Sequence, residues 1–416
     1  MVNTIAGNLT ARRSQCVHRV MLRGMGKLFG SQTALRQANR GMLLECIHRS
    51  GAMTQIEIAE STGLSPATVS TLVRQLVDEG KLVTQNTIRN GRRATLAALA
   101  RREGLGVGIS IARRELRLQI VDYDNAVLAE HVLPLARNHK TDTTMERALV
   151  LVNETLSTMG ASADEVKGVG LAVCAPVDHR TQTIAVPGIL PGWDGVDIRH
   201  PFETAFHVPV IVDNDSNLAA VCEGAIGAAQ ETSDFLCIGT SDGVGAGIMV
   251  GGHLLRGVTG LAGEIGHVQV DPLGSICSCG NRGCLNTVVD EQRLVSLLSV
   301  THGDMNLDDL VSSACDGDPG CRRVIADAAV RIGTVAADLC IAIDPEIVVV
   351  SGALSMSGEI FTEPFQQALQ RLLFPNALTP IQVFAARYPM TGPAVGAAIA
   401  ALEYADTRHK DAGRGR

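Results

Sequence analysis

Aromatic residues are scarce in this chain: one Trp, three Tyr and eight Phe make up 3% of 416 residues. Its cores must therefore be packed with Ala, Val, Leu and Ile, a composition ordinary for α/β proteins and silent about chemistry. No apolar run approaches the roughly 18 residues needed to cross a bilayer. The basic N-terminal stretch is not followed by the apolar segment of a secretory signal. No repeat of solenoid period is present, and the C-x-x-C spacing of thioredoxin-like redox sites is missing. A cytosolic protein is expected, with its 11 cysteines reduced and free to bind metal.

A length of 416 residues exceeds what one core usually serves, so two or more domains are expected. Charge divides them. Residues 1–103 hold 15 Lys and Arg against 6 Asp and Glu, a net +9, while the remainder holds 21 against 37, a net −16. A basic module attracts phosphate backbones whatever their sequence, and the acidic body repels them.

Three cysteines, a histidine and turn glycines are concentrated between Gly263 and Asn286. Thiolates at Cys277, Cys279 and Cys284 with the imidazole of His267 form a Cys₃His set, the ligand mix of a closed tetrahedral structural zinc. Gly274, Gly280 and Gly283 are expected to permit the tight loop that such short spacings need. The other cysteines are scattered in apolar contexts and read as core residues.

In chain order, residues 1–30 lack sustained periodicity and are expected to form a mobile basic arm. A helix follows, with Leu43, Leu44 and Ile47 on one face. Thr54 and Glu57 make a capping box that opens a helix through Ser61. Gly63 breaks the chain, and Ser65-Pro66 restarts it as N-cap and first helical residue. Two helices joined by a tight turn, the second presenting Ser65, Thr68, Ser70, Thr71 and Arg74, form a helix-turn-helix. Strands Leu82–Thr87 and Ala94–Leu99 around residues 88–93 read as a wing whose tip carries Arg92 and Arg93. Arg74, Arg92 and Arg93 suit phosphate or a minor groove better than base edges. The alternative is a helical protein-interaction domain with solvated arginines.

Beyond residue 104, strands and helices alternate, which favours an α/β body with ligand groups at strand ends. Asn214 and Asp215 stand at such an end. There a carboxylate could act as general base toward a hydroxyl, and a helix N-cap explains the same residues equally well. Residues 239–247 form a glycine-rich turn that could cradle phosphate or close a plain hairpin. Glu264, three residues before His267, could face the same pocket or solvent. Residues 406–416 read as a charged, frayed tail.

Taken together, Gly266-His267, Cys277-Ser-Cys279-Gly280 and Gly283-Cys284 resemble the zinc signature of the ROK family of repressors and sugar kinases. The resemblance covers nearly all of residues 34–404. Asn214-Asp215-x-Asn217, Gly243-Val-Gly-Ala-Gly247, Glu264, Gly192-Trp193 and Asp344-Pro345-Glu346-Ile347-Val348 extend it. It implies a winged helix-turn-helix domain (31–103) followed by a body (104–405) of two actin-like, ribonuclease H-like lobes with a sugar cleft between them. It further implies that Asp215 corresponds to the base of family kinases, and that Asn214, Glu264 and His267 hold the sugar. His267 would serve zinc through one ring nitrogen and sugar through the other.

Three departures favour a regulator over an enzyme. The kinases' Asp-x-Gly-Gly-Thr is replaced around Ser110-Ile-Ala112-Arg113-Arg114, removing a magnesium ligand and a backbone phosphate cradle. The adenosine-side Gly-Gly is Ser351-Gly352. The signature's last glutamate is Asn286, which keeps hydrogen bonding and loses the carboxylate. The expectation is a DNA-binding repressor that responds to a sugar or sugar phosphate held by Asn214, Asp215, Glu264, His267 and Asn286. One structural zinc per chain, operator DNA as partner and a homodimer or tetramer are expected, with no membrane partner and no ATP or magnesium. The alternative is a ROK sugar kinase carrying a DNA-binding head.

Overall fold

The computed structural model of the chain describes residues 39–44, 46–47, 51–78, 81–89, 92–99, 104–136, 138–374 and 379–414; the side chains of 85–94, 99 and 409–414 also lie outside the description. The expected arm over residues 1–30 lies outside it too. Two compact units divide the chain, Met1–Arg102 and Glu103–Arg416.

In the first unit, helical backbone at 39–44 and 46–47 precedes β1 (Met53–Thr54), α1 (Gln55–Thr62), α2 (Pro66–Asp78), β2 (Leu82–Arg89) and β3 (Arg92–Leu99). Thr54 and Glu57 form the expected capping box, the Glu57 carboxylate accepting from the Thr54 amide at 2.8 Å. Gly63 ends α1 at φ +70, a left-handed conformation closed to most residues. The Ser65 hydroxyl then caps α2 by accepting from the Thr68 amide at 3.2 Å. Val69, Leu72, Val73 and Leu76 lie on one stripe of α2 and pack with Leu43, Ile47, Ile58 and Leu82. β1 joins β3 and β2 as a third strand, which sequence reading missed because it is two residues long. The strands also run further than expected. Arg89 pairs with Arg92, so most of the expected tip is ladder, with only Asn90 and Gly91, outside the described residues, between the strands. Asn-Gly favours the shortest hairpin loop, which lets the ladder continue.

The second unit repeats one topology twice. Strands β4 (Leu105–Ile111), β5 (Glu115–Asp122), β6 (Val127–Pro134), β7 (Val166–Val173) and β8 (Val210–Asn214) form a sheet ordered β8-β7-β4-β5-β6. Strands β9 (Phe235–Thr240), β10 (Val244–Val250), β11 (His253–Leu254), β12 (Ile347–Ser351) and β13 (Gln382–Ala385) form another, ordered β11-β10-β9-β12-β13. In each, three antiparallel strands are followed by two that run parallel to the first. The parallel strands β7 and β12 are almost wholly buried Val, Ile, Leu, Ala and Gly, as strands covered on both faces must be.

Helix α3 (Thr141–Met159) packs its Met145, Ala148, Val152 and Leu156 into the first core. Helices α5 (Leu307–Cys315), α6 (Pro319–Ile343) and α7 (Glu359–Leu372) pack into the second. Between the lobes lie α4 (Asp215–Ile226) and α8 (Gly392–Arg414). Leu218 and Cys222 of α4 face α8, whereas Ala219 and Ala220 face the β9 and β12 side. Gly108 and Gly170 let α8 approach the first sheet so closely that a Cβ at either would overlap the backbone of Ala394 or Ala397. Helix α8 runs to Arg414, into the charged stretch 406–416. Charge alone does not end a helix.

Candidate functional site

Strand β8 ends at Asn214 and α4 starts at Asp215, so the two residues stand at the mouth of the cleft between the lobes. Asn214 caps α4, its Oδ1 accepting from Ser216 N at 2.8 Å and Asn217 N at 3.3 Å. Its Nδ2 donates to the Ala175 carbonyl at 3.2 Å. The N-cap reading holds, and the capping residue also lines the cleft. Asp213 beneath it is buried and accepts from Arg256 Nε at 2.7 Å and Asn217 Nδ2 at 2.8 Å, tying β8 to α4 and to the second lobe. Asp215 accepts from Ser216 N at 2.7 Å, and burial, reinforced by the charge of Asp242, raises its pKa to about 6.

From the second lobe, Gly263 packs under β10 at φ +88, where a Cβ would overlap the Ala246 carbonyl. This seating turns Glu264 and His267 into the same cleft, with the His267 Nε2 3.9 Å from a Glu264 oxygen. Burial and then the charge of Asp215 raise the Glu264 carboxyl to about 7, and burial lowers the His267 pKa. Asn286 also lines the cleft, but its Oδ1 accepts from the Val244 amide at 2.8 Å. It secures the β9–β10 turn. All five sequence-derived ligand residues thus line one cleft.

The second nitrogen of His267 faces the cysteines. Its Nδ1 lies 3.5 Å from Cys277 Sγ, Cys279 and Cys284 sulfurs are 3.8 Å apart, and all four donor atoms lie within 4.8 Å of one another. A tetrahedral ion with bonds of about 2.3 Å to sulfur and about 2.0 Å to nitrogen separates two sulfurs by about 3.8 Å and sulfur from nitrogen by about 3.5 Å. The residues fit such an ion. Of the three glycines expected to shape this loop, only Gly280 and Gly283 take positive φ; Gly274 does not.

Sequence reasoning missed Asp242. Its Oδ2 accepts from the Arg113 amide at 2.6 Å, joining the β9–β10 turn of one lobe to the β4–β5 turn of the other. An aspartate inside a glycine-rich turn was the available signal. Arg113 lines the cleft, and Arg114 pairs with Glu291 at 3.6 Å. Behind the β4–β5 turn, the His139 Nε2 lies 3.3 Å from the Ala112 carbonyl, and its ring stands edge-on to Trp193.

On the first unit, Ser65, Thr71 and Arg74 are exposed, and Thr68 and Ser70 are half-buried at the flanks of α2. The Ser65 and Thr68 hydroxyls bond each other at 2.8 Å, and Thr71 Oγ1 donates back to Ala67. Arg92 and Arg93 lie on β3, and their side chains fall outside the described residues.

The pattern of the ROK family fits residues 106–404. The chain belongs to the ROK family. A second pattern, the MarR family, fits residues 38–95, so this ROK protein carries a MarR-type winged helix ahead of its two-lobed, actin-like body. Among curated proteins it is similar to the Xylose repressor of Bacillus subtilis strain 168, 23% identical over 90% of this chain and 97% of that protein. It is 28% identical to the DNA-binding transcriptional dual regulator NagC of Escherichia coli K12, over 82% and 86%. Among solved structures it shares its fold with a ROK family transcriptional regulator, a homolog of the E. coli MLC protein: TM-score 0.73, 23% identity, 89% of this chain and 96% of that one. A ROK family glucokinase from Streptomyces griseus, solved with glucose and AMPPNP, gives TM-score 0.64 and 27% identity over 72% of this chain and all of its own. Among the described residues, no helix is long and apolar enough to cross a membrane.

Proposed function

We propose that this ROK protein is a DNA-binding transcriptional repressor whose body senses a sugar or sugar phosphate. The observation that carries this reading is the double use of His267, which faces three cysteines through Nδ1 and the ligand cleft, beside Glu264, through Nε2. Zinc held by His267, Cys277, Cys279 and Cys284 would supply a fixed tetrahedral anchor and so set the imidazole's orientation toward a sugar hydroxyl. Asn214 Nδ2, the carboxyls of Asp215 and Glu264, and Asn286 Nδ2 add the mixed donors and acceptors that a polyol needs.

Two relatives named as a repressor and a transcriptional regulator align over 90% and 82% of this chain, while the glucokinase covers 72% of it. On this reading α2 enters a major groove, presenting Ser65, Thr68, Ser70, Thr71 and Arg74, with Arg92 and Arg93 on the wing strand gripping the backbone. A homodimer then reads two half-sites spaced by whole helical turns of about 10 base pairs. Sugar draws the lobes together because its contacts come from both, and it releases DNA only if it binds one arrangement better than the other.

A thermal-shift screen of pentoses, hexoses, amino sugars and their phosphates tests the sensor. A ligand at 100 times its dissociation constant adds about 2.7 kcal/mol of stability. The same ligand should lower affinity for DNA fragments selected by the full-length protein from a random pool. Stabilisation by no sugar, or DNA binding unmoved by the stabilising sugar, rejects the reading.

The retained Asp215 favours a second reading, a sugar kinase with a DNA-binding head. Asp215-dependent phosphorylation of a hexose by ATP would establish it, and no turnover across the panel is the expected result.

A further inference from the structure

We infer that Asp242 sets the ligand class of the cleft, admitting a neutral sugar and rejecting sugar phosphates and nucleotides. This inference rests on the sugar-sensing reading above and narrows it. The Asp242 carboxylate sits at the junction of the two lobes and takes the backbone amide of Arg113 at 2.6 Å, across 129 positions of sequence. A phosphate oxygen entering between the β4–β5 and β9–β10 turns would have to share that amide with a carboxylate. Two like charges on one donor repel, and the repulsion grows where water is excluded.

The surroundings add to this bias. Asp215, Asp242 and Glu264 all line the cleft, against one arginine, Arg113. A divalent ion held by three thiolates and a neutral imidazole would add one net negative charge behind His267. Arg114 on the same turn is drawn toward Glu291 at 3.6 Å, so its charge is partly met within the protein. Burial first, and then the charge of Asp242, raise the pKa of the neighbouring Asp215, so the Asp242 charge is felt within the cleft. Hydroxyl groups meet no such penalty and find acceptors in these carboxylates.

Asp242→Asn is nearly isosteric and keeps an oxygen to accept from the Arg113 amide, so it removes charge while sparing the contact between lobes. Asp242→Glu keeps the charge. The full-length protein and both variants, checked for equal thermal unfolding, are titrated calorimetrically with pyrophosphate, a probe that needs no knowledge of the sugar. Wild type and Asp242→Glu should bind it weakly or not at all, and Asp242→Asn at least tenfold more tightly than wild type. Equal pyrophosphate affinity in wild type and Asp242→Asn overturns the assignment. In a second arm, the sugar that stabilises wild type is compared with its own phosphate. The phosphate should bind at least tenfold more weakly, and Asp242→Asn should narrow that gap; a phosphate that binds wild type as tightly as the free sugar also overturns it. If no sugar binds, the sensing reading fails while the pyrophosphate arm still decides the role of Asp242.

Discussion

Asp215 combines a half-buried carboxyl with a neighbouring negative charge, and its pKa stands at about 6 against an ordinary 3.8. A raised carboxyl pKa contributes stability that is complete below pH 4 and is lost as pH rises through 6. Asp215→Asn, which keeps the bond to the Ser216 amide, should therefore match wild type near pH 4 and exceed its stability by about 1–2 kcal/mol at pH 8 in urea unfolding. A wild type that is more stable than the variant at pH 8 contradicts this account. Gly283 offers a second residue-level test. Its φ is +69, and a Cβ there would overlap the Asp271 carbonyl, so Gly283→Ala must shift the loop that carries Cys279 and Cys284. Metal affinity should fall by about tenfold or more, measured by competition with a chelator; unchanged affinity would show that the loop yields without moving the sulfurs. These residues were legible in sequence because their chemistry is local, with ligands and turn glycines only a few positions apart. Asp242 was not, because its partner Arg113 is distant in the chain and lies on another lobe.

Helix α4 is the element on which the cleft depends. Its N-terminus carries Asn214 and Asp215, its sides touch α8 and the second sheet, and its C-terminal half is held by the wholly buried Glu223. That carboxylate accepts from Ala228 N at 2.7 Å, Tyr388 N at 2.8 Å and Arg387 N at 3.1 Å, joining α4 to the segment that leads into α8. Glu223→Ala leaves three amides without this acceptor and should cost roughly 3 kcal/mol or more in urea unfolding. A loss below about 1 kcal/mol would mean that water replaces the carboxylate without difficulty. The alternation of strands and helices beyond residue 104 was readable from apolar patterning. The role of Glu223 was hidden, since one glutamate in an alanine-rich helix resembles a surface residue until its partners are known. The wing strands exceeded their sequence limits because Arg89, Arg92 and Arg93 carry no apolar alternation, and backbone pairing alone sustains the ladder there.

The whole chain joins a basic winged-helix unit to an acidic two-lobed body, and the duplicated five-stranded topology of that body was invisible as a sequence repeat. The lobes share strand order, while their loops and insertions differ in length and composition, so topology persists where residue identity does not. If two copies read half-sites of an operator, sedimentation of the full-length protein should show a dimer at the concentrations where it binds DNA; a monomer on a single half-site contradicts that part of the proposal. The central claim is that the metal cluster forms one wall of the sugar site through His267. It is tested most directly by measuring, in one preparation of Cys279→Ser, the zinc content and the thermal stabilisation by the sugar that stabilises wild type. The account predicts that zinc and stabilisation are lost together while the chain remains folded; tight sugar binding without metal would contradict it.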